Sequence, residues 1–184
     1  GTLDFDSLPG AAGYQSRTAQ LRYTTGPLSI SAEQPQSKFT SAGTAEKDSM
    51  PALTARIEDS AGGLSYSAAV LAQQLGYDTG TNDVAPNGDV ETISGYGGTI
   101  GAGFSLGGGR SINIGYGMTE VDLDDGVADG VILATDAESI SAVMANYKWT
   151  PVKNVMMGIE YQYGMKEAQN GDDGDASRLL FAAQ

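Results

Sequence analysis

ESISAVMANYKWTPVKNVMMGIEYQYGMK, residues 138–166, decides how the rest of the chain reads. Apolar and polar residues alternate through Val143, Ala145, Tyr147 and Trp149; the chain turns over 150–154, and alternation resumes through Val155, Met157, Ile159, Tyr161 and Tyr163. A period of two is the mark of a strand, because successive side chains on a strand point to opposite faces. Pro151 in a short connection fits a hairpin and stops either arm from running on as a helix. Each arm is about ten residues, the length that a tilted strand needs to cross a bilayer. Aromatic residues lie near both ends. These features predict one hairpin of an outer-membrane β-barrel.

The same pattern extends in both directions. Strands are expected over 17–25, 28–34, 52–58, 64–75, 91–106, 110–121 and 178–184, while residues 1–16, turn-rich and without a sustained period, read as loop. In 17–25, Ala19, Leu21 and Tyr23 alternate with Thr18, Gln20, Arg22 and Thr24. The connections alternate in length, short at 26–27, 59–63, 107–109 and 150–154, long at 35–51, 76–90, 122–137 and 166–177. Tight turns at one end and longer loops at the other are the habit of an up-and-down barrel in the outer membrane. Nothing in a soluble sandwich forces every second connection to be long. The expected fold class is all-β, an antiparallel up-and-down transmembrane β-barrel with about nine strands in this chain.

The two parities carry different chemistry. Tyr23, Tyr66, Phe104, Tyr147 and Trp149 lie on the apolar parity close to short turns, and Tyr96, Tyr116, Tyr161 and Tyr163 lie toward the long loops. Two aromatic bands are what interfacial girdles require; ordinary strand aromatics packing a core are the bland alternative. The other parity carries Arg22, Glu33, Arg56, Glu58, Lys148, Glu160, Gln162 and Arg178 among many Ser, Thr and Gln. On the barrel reading these line a wet lumen whose field selects small solutes by charge and size. Arg22, Arg56, Lys148 and Arg178 are cationic in a chain that is acidic overall, so a preference for anionic solutes is expected. On the competing reading they are the solvated face of a sheet.

Composition narrows the alternatives. A formal net charge of −13 over 184 residues argues against nucleic acid as a partner, since duplex binding needs a cationic footprint. The chain has no His and no Cys, which removes the commonest general base, the commonest zinc ligands, thiol nucleophiles and disulfides. No run approaches the roughly 18 apolar residues of a transmembrane helix, and the mean hydropathy is −0.21. Barrels escape that test, because only alternate residues face lipid. The chain does not begin with Met and shows no leader, so a mature form or a piece of something longer is expected.

Catalysis finds little to build on. Ser-His-Asp chemistry is impossible without His, and Ser139 and Ser141 show no nucleophile-elbow pattern. The Gly-x-Gly fragments over 95–109 fall within an alternating strand, where glycine permits close packing or bending, and not at a phosphate-binding turn. Glu58 and Glu160 could act as acid and base only if the fold brought them together. Asp122, Asp124, Asp125, Asp129 and Asp136, then Asp172, Asp173 and Asp175, invite a calcium reading. Neither VDLDDGVADG nor NGDDGDAS has EF-hand spacing, so solvated acidic loops are expected, with no metal, no cofactor and no enzymatic activity.

RTAQLRYTTGPLSISAEQP, MPALTARIED with GGLSYSAAVLAQQLG, and NYKWTPVKNVMMGIEYQYG together resemble the DcaP-like porins of Gram-negative bacteria. The resemblance covers nearly the whole chain. It implies a sixteen-stranded barrel of the trimeric porin type, a homotrimer surrounded by outer-membrane lipid and lipopolysaccharide, admitting small hydrophilic and often negatively charged solutes by passive diffusion. It also implies an N-terminal part, with a periplasmic helical segment, that this chain does not contain. Two departures stand out. About nine strands is odd and too few for closure, and open edges in lipid are not viable. The chain also stops at RLLFAAQ, where the family's last strand normally ends on an aromatic. Residues 1–184 are therefore expected to be the C-terminal portion of one barrel domain. A soluble or surface-exposed β-rich binding or adhesion module with acidic contact loops is the runner-up, and a structural barrel without conductance is a third reading.

Overall fold

The computed structural model describes residues 19–34, 45–46, 50–78, 91–128 and 133–184. Period-two segments form β1 (Gln20–Thr25), β2 (Leu28–Glu33), β4 (Ala52–Ala61), β5 (Leu64–Asp78), β6 (Glu91–Gly107), β7 (Arg110–Asp122), β8 (Ala137–Val152), β9 (Val155–Ala168) and β10 (Asp173–Ala183). β3 (Ala45–Glu46) and α1 (Asp124–Ala128) are short additions. Each long strand pairs antiparallel with the next, in the order β1-β2-β4-β5-β6-β7-β8-β9-β10, while β3 pairs with β5 beside that path. This is the antiparallel meander expected from the alternation. The loop expected over 1–16, the first residues of the 17–25 strand, and most of the loops at 35–51 and 76–90 lie outside the described residues.

One expected connection is overturned. Residues 166–177, read as a long acidic loop, hold only a tight turn between Ala168 and Asp173. Asp173 pairs with Glu167, Asp175 with Met165 and Ser177 with Tyr163, so ladder pairing with β9 overrides the low strand preference of Asp and Gly. Gly171, at φ 81°, supplies the left-handed backbone that so short a return needs. The alternation of short and long connections therefore fails at this hairpin.

Strand register gives the sheet its slant. From Thr25, at the lip of the first short turn, the ladder of partners runs through Leu28, Ile57, Ala68, Ile100, Tyr116 and Val143 to Tyr163. Ala68 is four residues past Leu64, Tyr116 six past Arg110 and Tyr163 eight past Val155, where β5, β7 and β9 leave their short turns. From Leu28, where β2 leaves its short turn, to Tyr163, eight residues of stagger over six strand-to-strand steps, at about 3.4 Å per residue and about 4.8 Å between strands, put the short turns at one level when the strands lean about 43°. Closed outer-membrane barrels have this tilt, roughly 35–45°.

Burial runs opposite to that of a water-soluble domain. Val70 and Ile100, on central strands, are each 61% exposed, whereas Glu160 and Gln162 are 0% exposed. Ser29, Ala142, Met144 and Asn146 are also buried and share the parity of Glu160 and Gln162. Among the described residues only the short α1 segment lies over the sheet, so such one-sided burial means that it curls toward its polar face and crowds the side chains there. The apolar face is left open. Each large apolar side chain stranded in water forfeits about 1.5–3 kcal/mol, and contiguous patches beyond a few hundred Å² mark a surface made for contact.

Candidate functional site

The eight residues singled out on the polar parity, Arg22, Glu33, Arg56, Glu58, Lys148, Glu160, Gln162 and Arg178, all lie on the concave face. They do not form one cluster. Over β1, β2 and β4, Arg22 Nη2 donates to Ser29 Oγ at 3.0 Å, and the Ser31 and Thr54 hydroxyls donate to Glu33 Oε1 at 2.6 and 3.3 Å. Arg56 pairs with Glu58, two residues on along β4. Both side chains of that pair are more than half exposed, so it contributes at most about 1 kcal/mol.

A second group spans β7 to β10. Asn113 Nδ2 donates to Asn146 Oδ1 at 2.7 Å, and Asn146 Nδ2 donates to Glu160 Oε2 at 2.7 Å. From the other side, Gln162 Nε2 donates to Glu160 Oε1 at 2.7 Å, while Gln162 Oε1 accepts from Arg178 Nη2 at 3.2 Å. Every amide in this relay is oriented so that N–H groups point toward the carboxylate. Hydrogen bonds to an ionised acceptor are roughly twice as strong as neutral ones, and a buried carboxylate tolerates its desolvation only when so partnered. The relay fixes the wall of the concavity where its charges stand.

Between these flanks the concave face is nearly bare. Ser65, Ser67, Gly101, Gly103 and Gly115 floor an open hollow of about 740 Å³. A Cβ at Gly103 would stand 2.6 Å from Asn113 Oδ1 and 2.7 Å from Ser65 Oγ, so only glycine lets those two side chains approach. Glu58 and Glu160 face this trough from β4 and β9, with four strands between them, about 24 Å along the wall. The acid–base pair considered from sequence is not assembled. Among the described residues no three carboxylates gather as a metal site needs.

On the convex face, Tyr23, Tyr66, Phe104, Tyr147 and Trp149 sit two to five residues from the turn-side ends of their strands. Tyr147 and Trp149 stack at 5.5 Å, and Phe181 joins Trp149 at 6.4 Å. Tyr116, Tyr161, Tyr163 and Tyr96 lie six to eleven residues along their strands from the short-turn ends, farther from that rim than the first set. Asn113 and Asn146 have the polar parity and Phe181 the apolar one, and they are functional positions that the sequence pattern alone does not mark. Asn113 and Asn146 carry no charge, and nothing in the sequence sets them apart from the other uncharged polar residues of that parity.

No protein-family profile and no curated protein sequence matches the chain. Solved structures do. The outer membrane channel DcaP of Acinetobacter baumannii is similar over 100% of this chain and 66% of its own, with a TM-score of 0.64 and 22% identity. A loop L8 deletion mutant of OmpT, an outer membrane protein of Vibrio cholerae, matches 90% of this chain and 51% of its own at 0.56 and 14%. An anion-selective porin from Comamonas acidovorans matches 91% of this chain and 44% of its own at 0.54 and 16%. The chain thus has the fold of an outer-membrane barrel wall, and spans at most about two thirds of those barrels.

Proposed function

We propose that this chain is the C-terminal portion of a porin barrel in the outer membrane of a Gram-negative bacterium, and that the barrel passes small hydrophilic solutes by diffusion. The observation that carries the proposal is the inverted burial: Glu160 and Gln162 sealed on the concave face, Val70 and Ile100 bare on the convex one. Lipid is the medium in which that arrangement is stable, since it satisfies the apolar face while water fills the concavity. Among the described residues β1 and β10 each have a neighbour on one side only, and a membrane-spanning sheet must close. Further strands of the same protein pair with both edges in this reading.

Arg22, Arg56, Lys148 and Arg178 on the concave face support a preference for anions. The full-length protein in a planar bilayer tests both levels. Stepwise conductance with a reversal potential favouring anions is expected. Stepwise conductance with cation preference removes the selectivity and leaves the pore; no conductance removes the pore. Lipid and lipopolysaccharide as surroundings, and assembly as a homotrimer, belong to the same proposal. A cross-linked species of three chains from intact membranes is expected, and monomers alone would contradict it. The soluble-module reading predicts a monodisperse protein without detergent, whereas the exposed convex face predicts aggregation.

A further inference from the structure

The polar face carries a buried apolar cluster where β5 ends and β6 begins. Leu75 and Ile93, partners across β5 and β6, lie on the same parity as Ser65 and Gly103, with unbroken register between them. Val121 of β7 has that parity too. Apolar side chains lining a water-filled wall would be wet, yet Leu75 is 8% and Ile93 3% exposed. The chain leaving β7 covers them: Leu123, itself 8% exposed, completes the cluster, and Val127 of α1 packs against it. Val127 N donates to Leu123 O at 2.9 Å, which holds the turn of helix that carries both.

The same connection is fastened on its other flank. Gln169 Nε2 donates to Val121 O at 3.2 Å, Gln169 N to Asp136 O at 3.0 Å and Asn170 N to Ala134 O at 2.8 Å. The turn between β9 and β10 thus grips both the root and the return of the β7–β8 connection. One flank is apolar packing on the inner wall, the other hydrogen bonding at the rim. Asp124 and Asp125 ride on this element and are exposed. A loop meant only for the outside solvent needs no apolar seat on the lumen side.

We infer that residues 122–128 fold inward over the concave face and narrow the entrance of the channel, seated on Leu75 and Ile93. This rests on the porin reading, and the test separates the two. Single-channel recordings of the full-length protein compare wild type, Leu123→Asn, and Asp125→Cys or Lys153→Cys treated with a bulky neutral thiol reagent; the chain has no native Cys. Leu123→Asn unseats the element, and conductance is expected to rise roughly 1.5-fold as the open section widens. Labelled Asp125→Cys, at an exposed position that folding tolerates, is expected to lose about half its conductance because the adduct fills the entrance, while labelled Lys153→Cys, at a short turn, keeps its own. A conducting wild type whose conductance is unmoved by labelling Asp125→Cys overturns the inference and leaves the channel standing. A wild type that does not conduct overturns the porin reading itself.

Discussion

Both oxygens of Glu160 are taken by amide N–H groups, from Asn146 and from Gln162, and Gln162 passes the charge on to Arg178. Glu160→Leu would leave these donors buried without their acceptor. A loss of about 2–4 kcal/mol in unfolding free energy is expected, with Glu160→Gln costing less. Urea unfolding from lipid vesicles measures it, and an unchanged midpoint would mean that the relay adds nothing. Gly103→Ala drives a Cβ onto Asn113 Oδ1 and Ser65 Oγ. The flexible ends yield by breaking the Asn113–Asn146 bond, for a cost of about 1 kcal/mol by the same assay. Alternation in the sequence already placed Glu160 and Gln162 on one face. It could not pair them with Asn113 and Asn146, because cross-strand neighbours depend on register, which turn geometry sets.

At the scale of the element, parity decides what each position tolerates. Ile100 and Thr99 are adjacent on β6 and point to opposite faces. Ile100→Lys is expected to cost about 2–4 kcal/mol in vesicles, as a charge on the lipid face near mid-membrane does, and Thr99→Lys little. Equal costs would show that both faces meet the same medium. The turn from β6 to β7 uses Gly107, Gly108 and Gly109, all at positive φ, and a Cβ on Gly109 would stand 2.9 Å from Thr150 Cβ. Gly109→Ala should therefore destabilise by about 1–3 kcal/mol, seen as a lowered urea midpoint. Strands were legible because the period of two is strong wherever one face is apolar. It failed over 173–177, where Asp and Gly spell loop while the edge of β9 recruits them as strand. The inward seat of α1 was equally hidden: Leu75 and Ile93 read as wall residues until Leu123 is placed on them.

For the whole molecule, everything turns on which medium touches each face. On the proposed porin reading, the lean of about 43°, the apolar convexity and the crowded polar concavity all belong to a curved wall with lipid outside and water within. The absence of native Cys lets each position of β7 from Ser111 to Tyr116 be replaced singly by Cys, spin-labelled and reconstituted in vesicles as full-length protein. Labels at 112, 114 and 116 should be accessible to lipid-soluble oxygen, and labels at 111, 113 and 115 to a water-soluble nickel chelate, alternating without a break. If 112, 114 and 116 are instead reached by the chelate, or shielded from both probes by a protein layer, the sheet is not the wall of a membrane barrel.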